Sequence, residues 1–179
     1  MASVLQTPGE ALAASQPLSA RWKTRLDEQR RALETRYLEN HSAPELLRRL
    51  RVLVDGQLKA VWKHLEMPPA LTLVAVGGYG RGQLFPYSDI DLLVLLPYAS
   101  DPGQTPKLEQ FVGMLWDIGL EVGHSVRTIA DCVALAAQDI TVQTSLLEAR
   151  LLTGDRKQFR DFEKEFARAL DPQQFCKAK

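Results

Sequence analysis

The stretch 76-VGGYGRGQLFPYSDIDLLVLL-96 decides how the rest of the chain is read. Four glycines, a serine and two aspartates lie between two apolar runs, Leu71 to Val76 and Ile90 to Leu96. Both runs are short, rich in aliphatic residues and bounded by Gly or Pro, which predicts two buried strands joined by a tight turn and a loop. Asp89 and Asp91 are two apart at the start of the second strand, so both carboxylates project from one face. Two close like charges repel and add nothing to packing. Their placement makes sense if divalent cations neutralise them, because Mg²⁺ takes hard oxygen ligands and bridges one or two carboxylates to substrate phosphates. Upstream, Gly77 and Gly78 lack side chains and let backbone N–H groups approach a phosphate. Ser88 can add a hydroxyl donor and Arg81 a cation. A lone Gly-Gly is usually a turn and a lone Asp-x-Asp a solvated loop, but strand, Gly-Gly, loop, Ser-Asp-x-Asp and apolar strand in succession point to a metal-bound nucleoside triphosphate.

Outward from this stretch, helical periodicity places Trp22, Leu26, Leu33 and Tyr37 on one face of a helix over about 20–39. Its arginines alternate with Asp27, Glu28, Glu34 and Glu39, so it reads as a solvated face. Ser42 and Glu45 form a capping-box pattern opening a second helix that runs to about Leu65, before Pro68-Pro69. Downstream are a helix opened by Thr105-Pro106 and ended by Gly119, a third strand over Leu120 to Arg127, and helices over about 129–138, 141–152 and 156–170. Phe159, Phe162 and Phe166 form a stripe on the last. The expected order is α-α-β-β-α-β-α-α-α. The expected division is a flexible leader over 1–18, an N-terminal helical extension over 19–66 and a catalytic domain over 70–179.

Composition narrows the partners. The 179 residues are 45% hydrophobic and 25% charged, with 22 basic and 22 acidic residues, so no net charge draws the chain to nucleic acid or an anionic membrane. No apolar run approaches the ~18 residues of a membrane span, and the N-terminus MASVLQTPGEALAASQ lacks a signal-peptide pattern. Cys132 and Cys176 have no paired spacing and fit reduced thiols used in packing. A soluble, cytoplasmic protein is expected, with no membrane or nucleic-acid partner.

The central pattern resembles the polymerase-β-type nucleotidyltransferase superfamily, with Gly-Gly followed about a dozen residues later by Asp-x-Asp. With 115-LWDIGLEVGHSVRT-128 and 139-DITVQTSLLEARLLTGD-155 added, the chain resembles, from about Arg48 to Asp155, the N-terminal catalytic domain of the bacterial PII uridylyltransferase/uridylyl-removing enzymes. The resemblance implies an α/β (α+β) fold: a small mixed sheet flanked by helices. It implies transfer of UMP from UTP to a tyrosine of the nitrogen-regulatory protein PII, with Gly77 and Gly78 at the UTP phosphates and Mg²⁺, or Mn²⁺, on Asp89 and Asp91. The superfamily often adds a third carboxylate from the next core strand. Here that strand carries Gly123 and His124, leaving Glu121 as the nearest acid, read equally well as a surface residue. Arg127 reads evenly as a phosphate or base contact or as an ion-pair partner, and His124 as a packed histidine.

The family continues into an HD-type phosphohydrolase domain and paired ACT sensors. The three histidines here, His41, His64 and His124, stand beside no aspartate, so no HD metal site and no hydrolysis of UMP from PII is expected. A shortened chain is further expected to expose Phe159, Phe162 and Phe166 and to self-associate through them. The alternatives are a superfamily member with another acceptor or nucleotide, and a noncatalytic nucleotide-sensing module.

Overall fold

The computed structural model describes residues 17–98 and 105–170. The leader read over 1–18 falls almost wholly outside them, as does Cys176. Helices α1 (Leu18–Asn40) and α2 (Ala43–His64) lead into strand β1 (Thr72–Ala75) and a one-turn helix α3 (Gly77–Gly80). Strand β2 (Ile90–Leu96), helix α4 (Thr105–Asp117) and strand β3 (Val122–Thr128) follow. The remainder is α5 (Ile129–Ala136), α6 (Ile140–Leu147), β4 (Arg150–Gly154) and α7 (Arg156–Ala169).

The four strands form one mixed sheet in the order β3-β2-β1-β4. β2 is antiparallel to β1, with Ala75 opposite Leu92, and parallel to β3, with Asp91 opposite Gly123. Alternation along β2 divides the core. Leu92, Val94 and Leu96 face a cluster with Leu26, Leu58, Trp62 and Phe111, drawn from α1, α2 and α4. Leu93 and Leu95 face a second cluster with Cys132, Leu146, Phe159, Phe162 and Phe166, drawn from α5, α6 and α7. Helices therefore cover both faces of the sheet, the arrangement implied by strands that read as unbroken apolar runs. Among the described residues no helix is long and apolar enough to cross a membrane.

Three expectations fail for identifiable reasons. The helix expected over 141–152 stops at Leu147, and Arg150–Gly154 forms a strand on the free edge of β1, where Ala75 faces Arg150 and Thr72 faces Gly154. Glu-Ala-Arg-Leu-Leu favours a helix intrinsically, but sheet pairing overrides that preference. Ser42 caps α2 without a side-chain bond, and its N–H donates to Asn40 Oδ1 at 2.9 Å. Glu45 instead accepts from Arg36, Asn40 and Arg49. The functioning capping box is at Thr128 and Asp131. Finally, Phe159, Phe162 and Phe166 are buried at 8%, 1% and 5% exposure, so this stripe is core and offers no surface for self-association.

Candidate active site

Asp91 follows Ile90 on β2 and shares the parity of Leu93 and Leu95, so it belongs to the α5–α6–α7 face of the sheet. It is the one residue of β2 that is not buried. Val76 N–H donates to the Asp91 carbonyl at 3.1 Å, which extends the β1–β2 ladder to the edge of the glycine turn. Two glycines then make room for the carboxylate. A Cβ on Gly123 would lie 2.8 Å from Asp91 Oδ1, and one on Gly77 would lie 3.4 Å from Oδ2. Gly77 also has φ +58°, a conformation that side chains rarely adopt. The Gly123 that stood where a third acid was sought is thus the wall of a slot for Asp91.

Partial burial, and after it the charge of Asp89, push the Asp91 carboxyl above its ordinary value. Among the described residues neither carboxylate has a basic partner within 4.0 Å. Two unpaired, mutually repelling oxygen donors beside a side-chain-free turn fit a divalent cation of the Mg²⁺ type. Glu121, exposed and immediately before β3, lies at the same end of the sheet as Asp89, which immediately precedes Ile90 of β2. No group of three or more acids, histidines or cysteines gathers for a metal among the described residues. The remaining ligands of such a cation would have to come from phosphate and water.

The other expected residues are less uniformly placed. Gly78 sits in the turn, and a Cβ there would have Arg81 Nη2 at 3.8 Å, so the guanidinium lies back over the turn. Arg81 is also paired with Glu148, the C-cap residue of α6, and its Nε donates to Gln83 at 3.2 Å. The Ser88 hydroxyl is used locally, donating to the Phe85 carbonyl at 3.0 Å. This closes a turn in which Tyr87 takes φ +66° and is fully exposed. Arg127 is not brought to the carboxylates: it pairs with Leu95, four residues beyond Gly123, or roughly 13 Å along the strand. His124 points to the opposite face, into an apolar cleft of about 420 Å³ with Leu92, Val94 and Trp116. His124 itself is exposed, so the packed histidine expected there is not found.

Sequence reasoning missed Ser145, whose Oγ is 3.5 Å from the Cβ position of Gly77, and Glu148, which holds Arg81. Both are in the block from Asp139 to Asp155, Ser145 in the last turn of α6 and Glu148 as its C-cap. Sequence reasoning also missed Asp55, Tyr79 and Arg150, which form one hydrogen-bonded network behind the turn.

Gly123→Ala is expected to cut nucleotide transfer about tenfold or more while leaving the fold in place, because the new methyl displaces a carboxylate at an open strand end instead of core atoms. Steady-state rates against Mg²⁺ concentration, with circular dichroism as the fold control, check this. A wild-type rate and metal dependence would show that Asp91 need not sit in the slot.

A nucleotidyltransferase domain model matches residues 57–145. Bifunctional uridylyltransferase/uridylyl-removing enzymes of Cupriavidus pinatubonensis, Burkholderia lata and Nitrosospira multiformis are 49%, 50% and 52% identical over 90%, 83% and 82% of this chain. The same matches cover 19%, 18% and 17% of those proteins, so the chain spans less than a fifth of the curated relatives. Among solved structures, a toxin–antitoxin protein determined with AMP-PNP is 18% identical, with a TM-score of 0.41 over 69% of this chain and 90% of that one. Through residues 57–145 the chain belongs to the nucleotidyltransferase domain family, and it is a relative of the bifunctional uridylyltransferase/uridylyl-removing enzymes.

Proposed function

We propose that this chain transfers UMP from UTP to a tyrosine of the PII protein and releases pyrophosphate. The observation that carries the reading is the Asp91 carboxylate, seated between Gly77 and Gly123 next to an unpaired Asp89. The relatives' names support the choice of nucleotide. In the proposed reaction the tyrosine oxygen bonds to the α-phosphorus as the bond to the bridging oxygen of pyrophosphate breaks, and one of the two carboxylates or water takes the hydroxyl proton. Mg²⁺, or Mn²⁺, bound there would lower the pKa of the attacking hydroxyl and neutralise charge on the departing pyrophosphate. Asp89 and Asp91 would hold that cation in place. Gly77 and Gly78 leave their N–H groups open to phosphate, and Arg81 supplies a cation beside them. The protein's contribution is placement and electrostatics, which dominate phosphoryl-type transfers.

Incubation with α-labelled UTP or ATP, Mg²⁺ and purified PII tests the reading. Label passing from UTP to PII, with pyrophosphate released, is expected. Label from ATP alone, or pyrophosphate without labelled PII, would replace the nucleotide or the acceptor. Binding without any release of pyrophosphate would leave a nucleotide-sensing module.

Gly78→Val is expected to weaken MgUTP binding about tenfold or more, against no measurable change for Arg36→Ala. The Gly78 position has room for a Cβ, its nearest neighbour being 3.8 Å away, so the loss would come from phosphate approach instead of misfolding. Arg36 is an exposed partner of Glu45 at 3.0 Å, remote in the chain from the turn. Equal losses in a calorimetric titration would mean that phosphate binds elsewhere.

A further inference from the structure

The turn Gly77–Gly80 is three-quarters glycine and one helical turn long, so little within it resists unfolding. Its backbone bonds are Gly80 N–H to the Val76 carbonyl at 2.9 Å, Arg81 N–H to the Gly77 carbonyl at 3.0 Å, Gly82 N–H to the Tyr79 carbonyl at 3.1 Å and Gln83 N–H to the Gly78 carbonyl at 3.1 Å. Further bracing comes from outside, where one side chain reaches two of its carbonyls. From β4, Arg150 Nε donates to the Gly80 carbonyl at 3.2 Å and Nη2 donates to the Tyr79 carbonyl at 3.3 Å. The same guanidinium lies 5.3 Å from the centroid of the Tyr79 ring. Two more of its N–H groups go to Asp55 on α2, Nη1 to Oδ2 at 2.7 Å and Nη2 to Oδ1 at 3.1 Å. Four of the five N–H groups of this fork are thereby committed. The Tyr79 hydroxyl completes the ring by donating to Asp55 Oδ1 at 2.5 Å. Burial, then that bond to Asp55, hold the Tyr79 hydroxyl far above its ordinary pKa, so it remains a donor.

We propose that Arg150 and Asp55 are positioning residues that set the geometry of the Gly77–Gly80 turn for nucleotide phosphate. The inference rests on the reading of the site given under Proposed function. A peptide unit is planar, so fixing the Tyr79 and Gly80 carbonyls fixes the N–H groups of Gly80 and Arg81. Those N–H groups close the turn onto Val76 and Gly77, and with it the orientation of the Gly77 and Gly78 N–H groups, which head the turn and have no partner within it. Arg150 also delivers positive charge to the carbonyl end of the turn, where it opposes the local dipole.

An ion pair kept only for stability would be replaceable by well-packed apolar groups. This one spends two of its bonds on the backbone of the turn. Asp55 and Arg150 both lie outside the 57–145 span matched by the family model, and they approach from α2 and β4, elements adjoining its two ends.

The test is titration of MgUTP into the full chain and its Arg150→Lys, Asp55→Asn and Tyr79→Phe variants, reading dissociation constant and stoichiometry separately. Arg150→Lys keeps the charge but loses the fork, and Asp55→Asn keeps the shape but loses the charge that holds it. Each is expected to raise the dissociation constant about tenfold or more, with stoichiometry preserved among folded molecules. Tyr79→Phe removes one hydroxyl and is expected to raise it about twofold to threefold. A purely structural role would lower stoichiometry through an unfolded fraction and leave the constant unchanged. If Arg150→Lys does not fold, Asp55→Asn decides. A wild-type constant in the folded variants overturns the inference alone. A wild-type chain that binds no MgUTP overturns the reading of the site and this inference with it.

Discussion

Asp91→Asn, assayed for UMP transfer with Mg²⁺, is expected to lose at least about 100-fold in rate, and Asp89→Asn as much, because each removes an anionic ligand for the cation that would neutralise the developing phosphate charge. The fold is expected to survive both changes. Asp91 is held above its ordinary pKa by partial burial and by Asp89, so the folded state keeps its proton to higher pH than the unfolded chain does. With more protons bound in the native state, stability falls as pH rises through the window between the two values, and the cost persists above it. Asparagine carries no such cost. In EDTA at neutral pH the Asp91→Asn protein should therefore melt no lower than wild type, and any advantage should vanish below the ordinary carboxylate range, where both forms are neutral. Rates above about a tenth of wild type in both variants, against the usual hundredfold loss, would sink the assignment of the carboxylates.

Among alanine substitutions at Gly77, Gly78 and Gly80, Gly80→Ala should have the largest effect on stability. A Cβ at Gly80 would meet the Glu148 carbonyl oxygen at 2.1 Å and the Ala75 carbonyl oxygen at 2.9 Å, both backbone atoms that cannot rotate away. Overpacking of this kind costs about 3 kcal/mol or more, equivalent to a fall of roughly 6–12 °C in melting temperature for a domain of this size. Gly78→Ala, two residues earlier with no neighbour closer than 3.8 Å, should melt within a few degrees of wild type. Thermal melts of the pair give the comparison. Equal melting would mean that the turn does not seat against residue 148.

Much of this site was readable because its signals are local. The β2 strand is an apolar run interrupted only by Asp91, and Gly77-Gly78 ends another such run, so strands, turn and carboxylates could be placed from adjacency alone. What escaped depends on pairing across the chain. β4 looks helical by composition, and its strand state is set by pairing with the edge of β1 that β2 leaves free. Gly123 was weighed as a missing acid because its role, leaving space for Asp91, exists only once β2 and β3 are in register. The phenylalanines of α7 were placed on one face correctly but left exposed, since the sheet face that covers them includes Val74, Leu93 and Leu95 from distant parts of the chain.

The two N-terminal helices also alter what counts as the smallest unit able to fold. Leu26 and Leu58 are fully buried, in the same cluster as Leu73, Leu92 and Phe111, so the sheet has no closed hydrophobic face without them. A polypeptide confined to the matched span 57–145 would begin inside α2 and end before β4. It would lack Leu26 and Val54 on one face and Phe162 on the other, and β1 would become an open edge. The span matched by the family model and the span needed to close the core on both faces of the sheet therefore differ. The glycine turn lies within the first, while Asp55 and Arg150, which bond to it, and much of the core that buries the sheet lie outside.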